Sequence, residues 1–95
     1  MKHKCYQHLG KVPKGKITTY KELAKALDTK AYRLIGTYMK QNTNEDVPCH
    51  RVVKSNGEVG NYNKGQKQKI LLLKKEGIPV REKRIIDFEE YMHVF

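Results

Sequence analysis

The sequence predicts a mainly α domain with one small β-hairpin, arranged as a winged helix-turn-helix. Two neighbouring segments have helical periodicity and are separated by only a brief turn. A valine-containing stretch around a Ser-Asn-Gly turn is typical of a hairpin. The chain has 95 residues, which is enough for one modest core and one domain. We therefore treat residues 1–95 as a single domain.

The N-terminal part predicts two helices joined by a turn. Residues 2–10 have helical spacing, and "VPKG" at 12–15 ends that segment. "ITTYKELAKALD" then contains a helix start signal, because Thr19 and Glu22 have the spacing of a capping box. The apolar stripe of this second helix consists of Leu23, Ala24 and Leu27.

The third predicted helix runs through "KAYRLIGTYMKQ", with either Asp28 or Thr29 as its cap. Its apolar residues have i, i+3, i+4, i+7, i+8 spacing and are Ala31, Leu34, Ile35, Tyr38 and Met39. The residues left facing outward are Tyr32, Arg33, Gly36, Thr37 and Lys40. A short helix, a turn and a helix with a basic outer face describe a helix-turn-helix.

The C-terminal half is predicted to be a loop, a hairpin and a closing helix. Residues 42–48 are loop, and the hairpin places Val52 and Val53 opposite Val59. "NKGQKQKILLLKKEG" predicts a helix that ends at Glu76, with glycine next and proline just beyond. For the tail, residues 80–95, a short helix and a strand both remain open.

The charge balance favours a polyanionic partner. The chain has 20 basic and 10 acidic residues, a formal net charge of +10. Clustered cations displace counterions from nucleic acid, although a lysine-rich solvated surface would give the same count. The longest apolar run, Ile70 to Leu73, is too short for a membrane, and the N-terminus does not resemble a signal peptide. We expect no membrane partner and a cytoplasmic location, or a nuclear one in a eukaryote.

Two cysteines, Cys5 and Cys49, are too few for a disulfide framework, and no CxxC or HxxxH spacing supports a metal site. Cys5 is expected to be a packed thiol. Cys49 lies between Pro48 and His50, where a nearby imidazole would favour the reactive thiolate. An inert, buried Cys49 is the alternative. A carboxylate would orient the imidazole, and the candidates are Glu45, Asp46, Glu58 and Glu76.

The motifs together resemble the active-site domain of O6-alkylguanine-DNA alkyltransferases. "VPCHRVV", "GEVGNY" and "KGQKQKILLLKKEG" are similar to that family's PCHRV motif, its G-x-x-G-x-Y segment and its closing helix. Upstream, "VPKGKITTYKELAKAL" and "AYRLIG" are similar to its first helix and its recognition helix. The resemblance covers roughly residues 4–80.

The resemblance implies a catalytic role for four residues. Cys49 would take the alkyl group from O6 of guanine, once and irreversibly, after the nucleotide is flipped out of the duplex. His50 would act as its base through a water, with Glu76 polarising the imidazole. Tyr20 would donate toward N3 of the guanine. The resemblance therefore implies a methylated-DNA–protein-cysteine methyltransferase that needs no cofactor and no metal.

The same resemblance implies the DNA contacts. Arg33 would fill the gap left by the flipped nucleotide in double-stranded DNA, approached by a monomer from the minor groove. The other expected DNA-binding residues are Tyr32, Thr37, Lys40 and Arg51. The expected pocket residues are Asn42, which matches the family's hinge, and Tyr62, with Val52 and Asn63 lining the guanine pocket through main-chain groups.

The sequence also departs from the family pattern. The family's N-terminal domain is expected to be absent, and the loop after Asn42 lacks the usual Asn-Pro. Glu45 and Asp46 would raise the pKa of Cys49. Arg33 is flanked by bulky residues; Leu34 can turn into the core, whereas Tyr32 cannot.

Three other functions compete with alkyl transfer. Alkyltransferase-like proteins bind alkylated DNA as lesion sensors but lack the cysteine, which this chain retains. An ordinary helix-turn-helix regulator would explain the charge and leave "PCHRVV" without a purpose. A Cys-His hydrolase would need an oxyanion hole, for which the sequence has no separate signal.

Overall fold

Helices and very short strands make up the fold, and the computed structural model describes residues 2–44 and 46–95. In chain order the elements are α1 (Lys2–Leu9), β1 (Thr18–Thr19), α2 (Tyr20–Ala26), α3 (Tyr32–Gln41), β2 (Val52–Val53), α4 (Gln66–Lys75), β3 (Val80–Arg81) and β4 (Arg84–Ile85). Two 3₁₀ turns lie at Cys49–Arg51 and Phe88–Tyr91. The predicted mainly α class is confirmed. Within the described residues, no helix is long and apolar enough to span a bilayer.

The helix-turn-helix is formed by α2 and α3. The side chain of Thr19 accepts a hydrogen bond from the Glu22 amide at 3.0 Å, so the predicted cap of α2 is confirmed. The predicted cap of α3 was wrong. Ala31 precedes the first turn of that helix, and the Thr29 hydroxyl instead accepts from the Ala31 amide. Asp28 has a positive φ of 55° and lies in the turn between the two helices.

The outward and inward faces of α3 follow the predicted period with one exception. Ile35 and Met39 are buried against α1 and α2, and Tyr32 is 45% exposed, as expected. Leu34 is 38% exposed, so the prediction that it turns into the core was wrong. Leu34 and Tyr38 lie one turn apart on the same side of α3, and Tyr38 is only partly buried. This side of the apolar face therefore borders solvent.

The hairpin lies at a different place from the one predicted. Val52 and Val53 pair in parallel with Thr18 and Thr19, and not with Val59. The turn after β2 does form, since the Gly57 amide donates to the Lys54 carbonyl at 3.0 Å. The residues after this turn then form main-chain hydrogen bonds with the C-terminal segment, since the Val59 amide donates to the Lys83 carbonyl. The antiparallel hairpin is β3–β4, which resolves the open choice for residues 80–85 in favour of strand.

The β1–β2 ladder lies between two hydrophobic clusters. Val52 belongs to the first cluster, which α1, α2, α3 and Cys49 form. Val53 belongs to the second cluster, which β1's neighbour Ile17, α4 and the C-terminal segment form. Because alternate residues of a strand point to opposite faces, a two-residue strand can serve both clusters. The chain's C-terminal end adds to this ladder through the bond from the His93 amide to the Ile17 carbonyl at 2.7 Å.

Candidate active site and DNA-facing pocket

The Cys49 thiol lies at the first residue of a 3₁₀ turn, packed in the first cluster and only 5% exposed. The Asn42 side-chain amide donates to its sulfur at 2.9 Å. Burial raises the pKa of the Cys49 thiol above its ordinary value, while the Asn42 hydrogen bond and the charge of Lys69 oppose that rise. The thiol is therefore buried but has two groups that favour its anion.

A pocket of about 510 Å³ opens above this thiol. Four of the predicted DNA-binding residues lie on its α3 side: Tyr32, Arg33, Thr37 and Lys40. Tyr20, Tyr62 and Asn63 line it together with Cys49, as predicted. A concave site with a nucleophile on its floor and cations at its mouth can accept a planar group from an anionic polymer.

Asn42 ties the end of α3 to the thiol, which fits the predicted hinge position. Its side-chain amide also contacts the carbonyls of Asn44 and Val47, at 3.1 and 3.3 Å, and its side-chain oxygen accepts from the Asn44 amide. Its own carbonyl accepts from the Asn63 side chain at 2.8 Å. Asn42 therefore fixes the loop before Cys49, although it lines a neighbouring pocket and not the one above the thiol.

His50 and Glu76 are brought together as predicted. His50 Nε2 lies 2.8 Å from Glu76 Oε2. Burial lowers the pKa of His50, against the opposing effect of Glu76. Burial would raise the pKa of Glu76, but hydrogen bonds from Arg51 and His50 bring it below its ordinary value. An ionised carboxylate only accepts, so Nε2 carries the hydrogen and Nδ1 is left able to take a proton.

The other candidate carboxylates do not take this position. Asp46 is exposed, and the groups that shift the pKa of Cys49 are its own burial, Asn42 and Lys69, so the expected effect of Asp46 stays a prediction. Glu58 pairs with Lys54 and Arg84. Glu45, the remaining candidate, lies outside the described residues.

Arg51 does not face the pocket, and its geometry argues against the predicted DNA contact. Its guanidinium makes a two-pronged pair with Glu76, at 2.9 and 2.8 Å, and donates to the Val12 carbonyl at 2.8 Å. Both side chains are largely buried. With these donors engaged inside the protein, Arg51 holds both oxygens of the Glu76 carboxylate and shares Oε2 with His50.

Val52 also differs from its predicted role. Its main chain was expected to line the guanine pocket, but Val52 does not line the pocket above Cys49, and its side chain is fully buried in the first cluster. Its carbonyl accepts a hydrogen bond from Lys69 at 2.6 Å.

Lys69 is the site residue that the sequence reasoning missed. It is fully buried, and its ammonium also donates to the Asn61 carbonyl at 3.1 Å. Burial lowers the pKa of Lys69 to about 7, and the Cys49 charge opposes this. A signal was present, because Lys69 precedes Leu73 and Glu76 by four and seven residues and so shares their helix face.

The comparison with known families decides the identity of the domain. Residues 1–78 match the family described as 6-O-methylguanine DNA methyltransferase, DNA binding domain. The chain belongs to this family. Within the described residues of this methyltransferase-family domain, no three His, Cys, Asp or Glu side chains come together as metal ligands.

The relatives of this DNA methyltransferase-family chain include a protein of Picrophilus torridus named bifunctional methyltransferase/endonuclease. It is 41% identical over 88 residues, which are 90% of this chain and 29% of that protein. This chain spans between about a third and a half of the length of the curated relatives it matches.

Two solved structures show how far the fold extends. The O6-methylguanine-DNA methyltransferase of Pyrococcus kodakaraensis superposes with a TM-score of 0.74 and 43% identity, over 81% of this chain and 46% of that one. Atl1 of S. pombe, in complex with damaged DNA containing O6-carboxymethylguanine, superposes with a TM-score of 0.88 and 28% identity. That match covers 98% of this chain and 94% of Atl1, so it includes the C-terminal segment beyond residue 78.

Proposed function

We propose that this chain repairs DNA by moving an alkyl group from O6 of guanine to Cys49, once per protein molecule. The observation that carries the proposal is the Cys49 thiol on the floor of the pocket, followed directly by the 2.8 Å His50–Glu76 pair. Membership of the family and the DNA-bound relative support a duplex as the partner. We further propose that the protein acts as a monomer, needs no cofactor, and works wherever the cell keeps its DNA.

The proposed reaction moves one proton and one alkyl group. His50, through Nδ1 and an intervening water, takes the proton of the thiol, and the Glu76 carboxylate stabilises the resulting imidazolium. The thiolate attacks the alkyl carbon, an S–C bond forms, and the C–O6 bond breaks with its electron pair passing to the guanine. Tyr20, at the pocket wall, donates a hydrogen bond toward N3 as the ring gains negative charge.

The thioether product explains why the reaction would occur once. Water does not readily cleave a carbon–sulfur bond, and the groups around Cys49 are already engaged: Asn42 in the loop, Glu76 with Arg51. Nothing in this arrangement would generate a second nucleophile to free the sulfur.

We propose that residues of α3 hold the duplex open while the guanine, which is otherwise stacked inside it, is extruded into the pocket. Arg33 is exposed and lies at the pocket mouth, where its guanidinium could occupy the space of an extruded guanine. The Thr37 hydroxyl donates to the Arg33 carbonyl at 3.1 Å and keeps its lone pairs toward solvent. We propose that α3 enters the minor groove and reads shape and not sequence.

The second candidate is a lesion sensor that binds alkylated DNA without repairing it. Two observations bear on it: Atl1, solved in complex with damaged DNA containing O6-carboxymethylguanine, matches nearly the whole chain, and burial raises the pKa of the Cys49 thiol. A thiol held mostly protonated would react slowly, and binding would then outlast chemistry.

Intact mass measurement after incubation with a duplex containing one O6-methylguanine separates the two candidates. Repair predicts the gain of one methylene, mapped to Cys49, and none with unmodified DNA. Cys49→Ser should abolish the gain, while the matched control Cys5→Ala should retain it. Lesion-selective binding without a mass change would identify a sensor, and no preference for the lesion would exclude both.

A further inference from the structure

The β3–β4 hairpin lies against the loop that borders the Cys49 pocket. We call residues 54–60 the rim loop, because Lys54 and Gly60 both line that pocket. The Val59 amide donates to the Lys83 carbonyl at 2.9 Å, and the Ile85 amide donates to the Gly57 carbonyl at 2.8 Å. These main-chain bonds fix the hairpin beside the pocket mouth.

Side chains strengthen the same junction. Arg84 donates to the Asn56 carbonyl at 2.7 Å and lies 3.4 Å from the Glu58 carboxylate. The opposite side of Glu58 faces Lys54, at 3.7 Å. Glu58, the one acidic residue of the rim loop, is therefore shared between two cations. One negative charge against two positive charges gives this junction a net positive charge.

The tip of the hairpin presents further cations to solvent. Arg81 and Lys83 are exposed, and neither has an ionic partner within residues 2–44 and 46–95. The two-residue tip also holds Glu82 at a positive φ of 59°, a conformation that residues other than glycine, asparagine and aspartate rarely adopt. A tight, constrained turn keeps both cations close to the junction.

We propose that the hairpin is a second DNA contact, which binds the sugar–phosphate backbone beside the flipped nucleotide. The inference rests on the proposed function, since it needs a duplex at the pocket mouth. A duplex that places one nucleotide in the pocket continues on both sides of that nucleotide, so its backbone would pass over elements that neighbour the pocket mouth.

The chemistry of the hairpin fits phosphates and not bases. Arginine and lysine on an exposed hairpin bind phosphate oxygens without reading sequence, which suits a protein that must find damage in any context. The hairpin lies outside the residues that match the family, so a contact here would be an addition to the binding by α3.

The test compares the double variant Arg81→Gln/Lys83→Gln with the wild-type protein. The control is Lys74→Gln/Lys75→Gln, two exposed cations at the end of α4 that do not line the Cys49 pocket. Binding to a fluorescent duplex with one O6-methylguanine is followed by anisotropy at several salt concentrations. Losing two phosphate contacts should lower the slope of log K against log salt by about 1.8.

At about 0.15 M salt the hairpin variant should bind roughly tenfold or more weakly, and the control should stay within about threefold. Transfer to Cys49 at saturating DNA should keep the wild-type rate, because the hairpin touches none of the reacting groups. Equal slopes for the hairpin and control variants would overturn the hairpin contact and leave alkyl transfer standing. A wild-type protein that ignores DNA altogether would overturn both.

Discussion

The two cysteines occupy the same hydrophobic cluster, yet their surroundings differ in kind. Cys5 is fully buried on α1, and burial, with a contribution from Cys49, raises its pKa to about 11. Cys49 is buried too, but Asn42 bonds to its sulfur and Lys69 places a positive charge near it. The comparison teaches that two thiols buried in one cluster can differ through their polar neighbours, which favour the anion of Cys49 and not that of Cys5.

The largest expected difference is in the reactivity of the two thiols. At pH 8 about one Cys5 side chain in a thousand would be a thiolate, because its pKa is about 11. Cys5 is also fully buried, so a reagent cannot reach its sulfur in the folded protein. Cys49 opens on the pocket. We expect pulse labelling with iodoacetamide to modify Cys49 at least about a hundredfold faster, as read by peptide mass mapping. Comparable labelling of both thiols in the native protein would remove the distinction.

The second-largest expected effect is on stability, when the Glu76 side chain is removed. Glu76→Ala leaves the buried Arg51 without its partner, so we expect a loss of about 3 kcal/mol in the free energy of unfolding, measured by urea denaturation. Glu58→Ala is the matched control, because its ion pairs are exposed and should be worth less than about 1 kcal/mol. Equal losses would mean that the Arg51–Glu76 pair is no more important than a surface one.

Asn42→Ala should make Cys49 resemble Cys5. It removes the hydrogen bond that most opposes the rise in the pKa of Cys49, so the pKa should rise further. A hydrogen bond to a charged group is worth about 1.5–3 kcal/mol, and we expect labelling of Cys49 at pH 8 to slow by roughly tenfold or more. The control is Asn44→Ala in the same loop, which has no contact with the sulfur. An unchanged rate would remove Asn42 from the list of thiol-activating groups.

Lys69→Met should have the smallest effect on the thiol and a clear effect on stability. Losing the cation raises the pKa of Cys49 and should slow its labelling a few-fold. Burial lowers the pKa of Lys69 from 10.5 to about 7. The unfolded chain therefore binds more protons than the folded one between pH 7 and 10.5, and the wild-type free energy of unfolding should rise with pH across that window.

The variant should lack that rise, and the exposed Lys67→Met should keep it. Denaturation curves at pH 6.5, 8 and 9.5 measure the difference between the variants, which cancels groups common to all. A rise of the same size in Lys69→Met would show that Lys69 is not the group responsible.

The sequence predicted the helices better than the strands, for a physical reason. A helix of ten residues such as α3 repeats its apolar spacing several times, and Thr19 adds a cap with a specific geometry. A strand of two residues has no period to read. Val52 and Val53 therefore looked like a hairpin arm, while their partners lie more than thirty residues earlier.

The sequence predicted the pairing of His50 with Glu76, but it did not predict the buried cations that contact the site from within the protein. The predicted His50–Glu76 pair forms, and Cys49, which directly precedes His50 in the sequence, lines the pocket. Lys69 was not singled out from the sequence, because lysine is almost never fully buried and only the spacing of Lys69 from Leu73 indicates an inward face. Arg51 was taken for a DNA contact because charge alone does not show whether a side chain faces inward.

The parallel pairing of β1 with β2 has a consequence for how the protein folds. Tyr20 directly follows β1, and Cys49 lies three residues before β2. Because α2 and α3 lie between the two strands in the sequence, these two parts of the pocket come together only when β1 and β2 pair across that long connection. Such distant contacts form late, after the entropy of closing a long loop has been overcome. A partly folded chain would have the Cys49 thiol and no pocket, so the pocket should appear abruptly, together with the last cooperative stage of folding.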